Sequence, residues 1–245
     1  MRGCVNTARN CTASFSPIDA RVVCDHKRPM LIQTRPAESS APAHDQIYRT
    51  LRARIMHGEI TPGAALTLRG VGKQFGVSMT PVRESVRRLV AEGALTLTNS
   101  GRISTPELSN ERIEELAALR ALLEPELASR ALPRAHLALI DRLQVINGTI
   151  SEAASRKDAV AFIKTNLEFH RTLYLRAQAP AMLAMAETVW LQLGPTMRAL
   201  YGRLGRTEAP RHHRVILEAL KAGDEPALRL AVRTDVTQGL RLLAA

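Results

Sequence analysis

The chain has 245 residues, of which 45% are hydrophobic and only 3% aromatic, and its formal net charge is +11. Leu and Ala dominate while β-branched and aromatic residues are scarce, so the composition favours helices over sheets. Residues 1–105 contain 15 Lys and Arg against 7 Asp and Glu, whereas residues 106–245 contain 19 against 16. A basic first half followed by a nearly balanced second half indicates a polyanion-binding module joined to another domain.

The first 42 residues show no sustained periodicity and are rich in Ser, Thr, Pro and Arg, so we expect a disordered tail over 1–42. All three cysteines, Cys4, Cys11 and Cys24, lie there without the spacing of a metal site. Their odd number argues against a disulfide framework, and a reducing cytoplasm is the simplest compartment. No apolar run of 18 residues occurs, which argues against a membrane-spanning helix.

A first helix is predicted over about 44–57, where Ile47, Leu51 and Ile55 repeat at a spacing of three to four residues. Gly58 is expected to end it.

Residues 66–95 have the pattern of a helix, a tight turn and a second helix. Gly76 supplies the turn, and Ser78 or Thr80 followed by Pro81 can start the second helix. One face of that helix is apolar, which leaves the arginines on the other faces. The apolar face holds Val82, Val86 and Leu89, and the other faces hold Arg83, Arg87 and Arg88. Such a unit can place guanidinium groups in the major groove of DNA.

Residues 94–105 alternate in the manner of a short β-hairpin with Asn99-Ser100-Gly101 as its turn. Three helices and a hairpin predict a winged helix-turn-helix over 43–106, with the hairpin as the wing. Arg102 near its tip can reach the DNA backbone or minor groove. The predicted DNA-binding residues are Arg69, Ser78, Thr80, Arg83, Arg87, Gly101 and Arg102.

From Glu107 onward the pattern is helical, and the short connections predict an antiparallel bundle over 107–245. Asn110 is expected to cap the first helix of the bundle and Asp158 to start the third. Helices are expected near 109–131, 134–156, 158–177, 180–203, 208–222 and 224–243. The predicted fold class is therefore mainly α, with an N-terminal winged helix-turn-helix followed by an all-α antiparallel bundle.

The first part of the chain closely resembles the DNA-binding domain of the GntR family of bacterial transcriptional regulators. The matching segments are Pro62-Gly63, residues 66–71 and residues 76–86. Gly70 and Gly72 depart from the usual Glu and Ala, and Met79 replaces an arginine that often contacts DNA in relatives. The resemblance implies a bacterial cytoplasmic protein, associated with the nucleoid, that binds double-stranded operator DNA.

The second part resembles the FCD class of effector domains. The matching segments are residues 119–124, 166–174 and 213–217. The resemblance implies a homodimer that binds an inverted-repeat operator and responds to a small organic or sugar acid, with 107–245 serving effector binding and dimerisation.

The same resemblance implies a divalent-metal site, since the family offers Asp or Asn followed by three histidines. The corresponding residues are Asn166, His170, His213 and Asp235, which would suit Zn²⁺, Ni²⁺ or Mn²⁺ and leave open positions for a ligand carboxylate. Asn166 and His170 share one helix face because they are four residues apart. Alternatively, the histidines are hydrogen-bonded core residues. His212 is expected to point elsewhere, into solvent.

Arg120 is the candidate anchor for an acidic effector, because a guanidinium matches a carboxylate in bidentate geometry. The alternative is a surface salt bridge between Arg120 and Glu124. The predicted effector-binding residues are Arg120, Asn166, Tyr174 and Trp190.

The sequence lacks a Gly-x-Ser-x-Gly elbow, a phosphate-binding loop and a dinucleotide fingerprint, so we expect a regulator and not an enzyme. Two alternatives stay open. The His, Asp and Asn set could serve a metal-dependent hydrolase-like protein, or the helical domain could only dimerise an architectural DNA-binding protein that has no effector.

Overall fold

A computed structural model of the protein describes residues 42–98, 101–203 and 208–244. Its elements are α1 (Ala43–Met56), β1 (Ala65–Leu66), α2 (Leu68–Phe75), α3 (Met79–Ala91), β2 (Thr96–Leu97), β3 (Ile103–Ser104), α4 (Asn110–Ala131), α5 (Leu137–Ser155), α6 (Ala159–Tyr174), α7 (Pro180–Arg203), α8 (Glu208–Ala222) and α9 (Glu225–Ala244). The predicted class, a winged helix-turn-helix followed by a helical bundle, is confirmed. Apart from Pro42, the predicted tail over 1–42 lies outside the described residues.

Helices α1, α2 and α3 each bury apolar side chains in a shared core. Thr67 caps α2 by accepting a hydrogen bond of 3.0 Å from the amide of Gly70. Gly76 ends α2 with a φ of 65°, a left-handed conformation that a side chain would strain. Ser78 is the N-cap residue of α3, but its side chain makes no capping hydrogen bond.

The wing is a three-stranded antiparallel sheet in the order β1-β3-β2, whereas the sequence predicted only the two-stranded hairpin β2–β3. The additional strand β1 pairs with β3 at Leu66 and Ile103. Its two residues are too few to show an alternating pattern, so the sequence could not indicate it. The predicted turn Asn99-Ser100-Gly101 lies outside the described residues except for Gly101, whose φ is 81°.

The bundle helices begin at capping residues that are close to the predicted ones. Asp158 caps α6 as predicted, since its carboxylate accepts a hydrogen bond of 3.0 Å from the amide of Ala161. The predicted cap of α4, Asn110, is wrong by one residue. Ser109 caps that helix instead and accepts from the amide of Arg112. Both a serine and an asparagine suit an N-cap, and the local sequence did not decide between neighbours.

Helix α7 connects the winged part to the bundle, because it contacts α1 as well as α4, α6 and α9. Arg198 of α7 donates to the carbonyl of Gly58, and Gln192 donates to the carbonyl of Glu92 at 3.1 Å. Gly194 lies against the end of α1 with no room for a side chain. Within the described residues, no helix is both long and apolar enough to cross a membrane.

Replacing Gly194 by alanine should destabilise the protein by about 1–3 kcal/mol through overpacking. A Cβ at this position would lie 2.3 Å from the carbonyl oxygen of Ile55 and 2.7 Å from the Cα of Met56, and both are backbone atoms. Urea unfolding measures the change. The matched control is Gly148→Ala in α5, where a Cβ meets nothing within 4 Å. The control should be neutral or stabilising because alanine favours helix. Equal stability of the two variants would contradict the close contact.

Candidate functional site

The predicted DNA-binding residues are all exposed on α2, α3 and the wing. Arg83 and Arg87 are one turn apart on α3, and both line a depression of about 190 Å³ together with Leu97 and Ile103 of the wing. Side chains of the helix and the wing therefore share one surface. This is the arrangement that lets a helix enter the major groove while a hairpin lies beside it.

The predicted DNA-binding arginines on this surface lack a counter-ion in the part of the chain that the structure describes. Among the described residues, no carboxylate lies within ion-pair distance of the four predicted ones, which are Arg69, Arg83, Arg87 and Arg102. Arg88, on the same helix, does have partners within the protein. It lies 3.4 Å from Glu92 and 3.7 Å from Asp45, and its guanidinium stacks 3.6 Å above the ring of Tyr48. Arg88 is thus occupied within the protein, while the predicted set remains available to phosphates.

A second group of predicted residues meets inside the bundle, around the carboxylate of Glu124 on α4. Arg120 lies one turn earlier and donates to both carboxylate oxygens, with exposed fractions of 5% for Arg120 and 0% for Glu124. Tyr174 donates to Glu124 at 3.0 Å and Trp190 donates to it at 2.9 Å. The alternative of a surface salt bridge is therefore wrong about location, because the Arg120–Glu124 pair is buried.

The pKa of Glu124 follows from these contacts. Burial alone would raise it, but the charge of Arg120 and the hydrogen bonds from Arg120 and Trp190 outweigh burial, and the pKa lies below its ordinary value. Glu124 is therefore an anion that holds Arg120, Tyr174 and Trp190 in fixed positions.

His170 of α6, His213 of α8 and Asp235 of α9 form a cluster beside this pair. One ligand atom from each lies within 4.8 Å of the others. Oδ2 of Asp235 lies 3.1 Å from Nε2 of His170 and 3.8 Å from Nε2 of His213. Both Nε2 atoms are buried and have no hydrogen-bond partner among the described residues. Such atoms are the expected donors to a metal ion.

On the other side of each imidazole ring, Nδ1 forms a hydrogen bond with a neighbouring side chain. Tyr174 gives its proton to Glu124, so its oxygen accepts from Nδ1 of His170 at 3.2 Å. The amide of Asn147 donates to the carbonyl of Pro210, so its oxygen accepts from Nδ1 of His213 at 3.1 Å. Nδ1 of each imidazole is thus held by a hydrogen bond, and Nε2 of each ring faces the cluster.

The ionisation states also suit a metal site. Burial lowers the pKa of His213 to about 3, despite the opposing charge of Asp235. Burial would raise the pKa of Asp235, but His213, His170 and Arg120 outweigh it and lower the value to about 2. A neutral His213 and an ionised Asp235 at neutral pH are the forms that bind cations. His170, His213 and Asp235 therefore fit Zn²⁺, Ni²⁺ or Mn²⁺.

Two neighbouring residues depart from the sequence expectations. His212 does not point away into solvent, because its Nδ1 lies 3.7 Å from Oδ1 of Asp235 and its side chain is only 18% exposed. Asn166 is partly exposed, and no contact among the described residues joins it to His213 or Asp235. The amide beside His213 belongs to Asn147, which sequence reasoning missed. Its signal was a polar residue among the apolar core positions of α5.

Comparisons with known proteins match both parts of the chain. The FCD domain matches residues 115–238, and the family described as bacterial regulatory proteins, gntR family, matches residues 43–103. The HTH-type transcriptional regulator McbR of Escherichia coli (strain K12) is 27% identical over 81% of this chain and 91% of its own. The gluconate operon transcriptional repressor of Bacillus subtilis (strain 168) is 28% identical over 66% of this chain and 64% of its own. The solved structure of E. coli McbR/YncC superposes with a TM-score of 0.76 at 26% identity, covering 83% of this chain and 98% of that one.

Proposed function

Because the chain belongs to the GntR family of bacterial transcriptional regulators and carries an FCD effector-binding domain, we propose that it binds an inverted-repeat operator as a homodimer under the control of a small carboxylate effector. DNA binding is assigned to 43–106, and effector binding and dimerisation to 107–245. The observation that carries the proposal is that one chain combines a surface of arginines, which have no counter-ion among the described residues, with a cluster of candidate metal ligands inside the bundle.

The DNA contact is assigned to α3 and the wing. Arg83 and Arg87 are suited to base edges or phosphates, and Arg69 and Arg102 to the flanking backbone. The exposed Ser78 and Thr80 at the start of α3 can donate to phosphate oxygens, and Gly101 lets the wing approach the backbone closely.

A metal ion on His170, His213 and Asp235 would supply open coordination positions for the effector carboxylate. The charges of the site support this. The buried group contains two anions, Glu124 and Asp235, beside the guanidinium of Arg120. The carboxylate of Asp235 would repel an effector carboxylate, and a divalent ion bound to it would offset that repulsion.

The remaining effector contacts are assigned to Arg120, Tyr174, Trp190 and Asn166. Arg120 donates to Glu124 through Nε and one terminal nitrogen. Its second terminal nitrogen has no partner among the described residues, so it is available to a carboxylate. Effector binding would shift the population of bundle conformations and change operator affinity, with a coupling of about 1–3 kcal/mol.

The dimer contact is assigned to α4 and α9, which pack alongside each other. Arg229 of α9 donates to Glu126 and Ser129 of α4. These two helices carry exposed leucines, among them Leu122 at 67% and Leu230 at 66%. Apolar side chains on adjacent helices supply the surface that a two-fold interface buries.

Footprinting on DNA selected from a random library tests this proposal. The wild type should protect two half-sites related by a dyad, and light scattering should give twice the chain mass. Leu122→Glu should yield monomers with weaker operator binding, since burying a charge at an interface is costly. The control is Leu137→Glu on α5, a leucine that is 76% exposed and lies outside α4 and α9. A wild-type monomer, or a footprint without a dyad, would overturn the dimer assignment.

A further inference from the structure

A cleft that is separate from the histidine cluster lies between α1, the end of α3, α6 and α7. Its volume of about 790 Å³ falls in the range of small-molecule sites. The walls combine aromatic and apolar side chains with an excess of arginine. The charged lining residues are Arg49, Arg52, Arg88, Arg171, Glu92 and Glu187.

The two carboxylates of this cleft are already held by surrounding donors. Glu92 accepts a hydrogen bond of 2.6 Å from Tyr48 and lies 3.4 Å from Arg88. Glu187 accepts from Arg171 at 2.9 Å. Four guanidinium groups and two carboxylates line the cleft, and Asp45 lies 3.7 Å from one of them, Arg88, so the cleft keeps a net positive charge. A small dianion would be attracted to this charge.

Two arginines of α1 provide the unused donors. Arg52 lies between the glutamates, 3.5 Å from Glu92 and 3.7 Å from Glu187, but it makes no hydrogen bond with any described residue. Only 23% of its side chain is exposed. Arg49 lies three residues earlier on the same helix face, and no described carboxylate is within ion-pair distance of it. Arg49 is exposed, whereas Arg52 is partly desolvated. Guanidinium groups with free N–H donors are suited to bidentate oxyanions.

We propose that this cleft binds a small organic dianion, either a phosphate monoester or a dicarboxylate. Arg49 and Arg52 take its oxygens, and its body lies against apolar side chains of the lining such as Leu167 and Ala184. This site is additional to the effector site of the proposed function. Its wall includes Glu92, which directly follows α3, so an occupied cleft bridges the DNA-reading helix to α6 and α7.

Trp190 is the only tryptophan of the chain and lines the cleft, so its fluorescence reports binding. Because Trp190 is also assigned to the effector site, each titration is repeated with His170→Ala, His213→Ala, which lacks two of the proposed metal ligands of that site. The full-length protein is titrated with AMP, succinate and inorganic phosphate, and calorimetry gives the stoichiometry. At least one of the two organic dianions should bind saturably with a Kd below about 1 mM. Binding of AMP alone identifies a phosphate ester, and binding of succinate alone identifies a dicarboxylate.

Variants separate this cleft from the inner site. Arg49→Ala should weaken dianion binding by about tenfold or more, since a charge-assisted contact is lost. Arg142→Ala, which removes an exposed arginine of α5, should leave it unchanged. The double variant His170→Ala, His213→Ala should also bind normally, and this outcome does not depend on the proposed effector site. No saturable signal from any probe at about 10 mM, or equal binding by Arg49→Ala, would overturn the proposal.

Discussion

Arg83→Ala should weaken operator binding by about 1–3 kcal/mol per half-site, which is roughly 10- to 150-fold. Arg83 is exposed on α3, faces the same depression as the wing and has no counter-ion among the described residues. Its guanidinium therefore loses no internal partner when it contacts a base or phosphate, and the whole interaction is lost with the side chain. Fluorescence anisotropy on the selected operator, at one fixed salt concentration, measures the change.

The loss should occur without any change in folding. Arg142→Ala is the matched control, because it removes the same charge from an exposed site on α5 and should leave operator affinity nearly unchanged. Thermal unfolding of both variants should match the wild type, since exposed side chains without partners contribute little to stability. An Arg83→Ala protein with wild-type affinity would remove α3 from the DNA interface.

The helix positions could be predicted from the sequence because local signals mark their ends. The first helix was expected over 44–57 and spans Ala43–Met56, ending just before Gly58. Asp158 and Gly76 stand at the boundaries that their side-chain chemistry favours. Where two possible capping residues are adjacent, as at Ser109 and Asn110, the local sequence does not show which of them caps the helix. Where a strand has only two residues, as in β1, the local sequence does not reveal the strand.

The arrangement of the buried polar residues could not be predicted in the same way. Tyr174 and Trp190 are 50 and 66 residues from Glu124, yet both donate to it. A helical pattern tells which face is buried, but the partner across the core depends on how the helices pack. For that reason the alternative interpretation of Arg120 placed its ion pair with Glu124 at the surface, and Asn147 was not connected with His213 at all.

The double variant His170→Ala, His213→Ala should lose metal binding. The wild type should take up one Zn²⁺, Ni²⁺ or Mn²⁺ per chain, because both Nε2 atoms are buried without a hydrogen-bond partner among the described residues and adjoin the carboxylate of Asp235. Removing two of three ligands should lower affinity by more than the roughly 100-fold that outer-shell changes reach. Calorimetric titration and elemental analysis measure the uptake.

Metal binding can also be detected from the thermal stability of the protein, independently of the titration. Metal at about 100 times its Kd should stabilise the wild type by about 2.7 kcal/mol, because the ion binds the folded chain and not the unfolded one. The double variant should show no metal-dependent shift in Tm. His136→Ala, which removes an exposed histidine before α5, should keep the full shift. If the double variant is stabilised as strongly as the wild type, the ion binds elsewhere. The buried histidines would then be only hydrogen-bonded core residues. The positive charge that attracts an acid effector would have to come from a group other than a metal ion at Asp235.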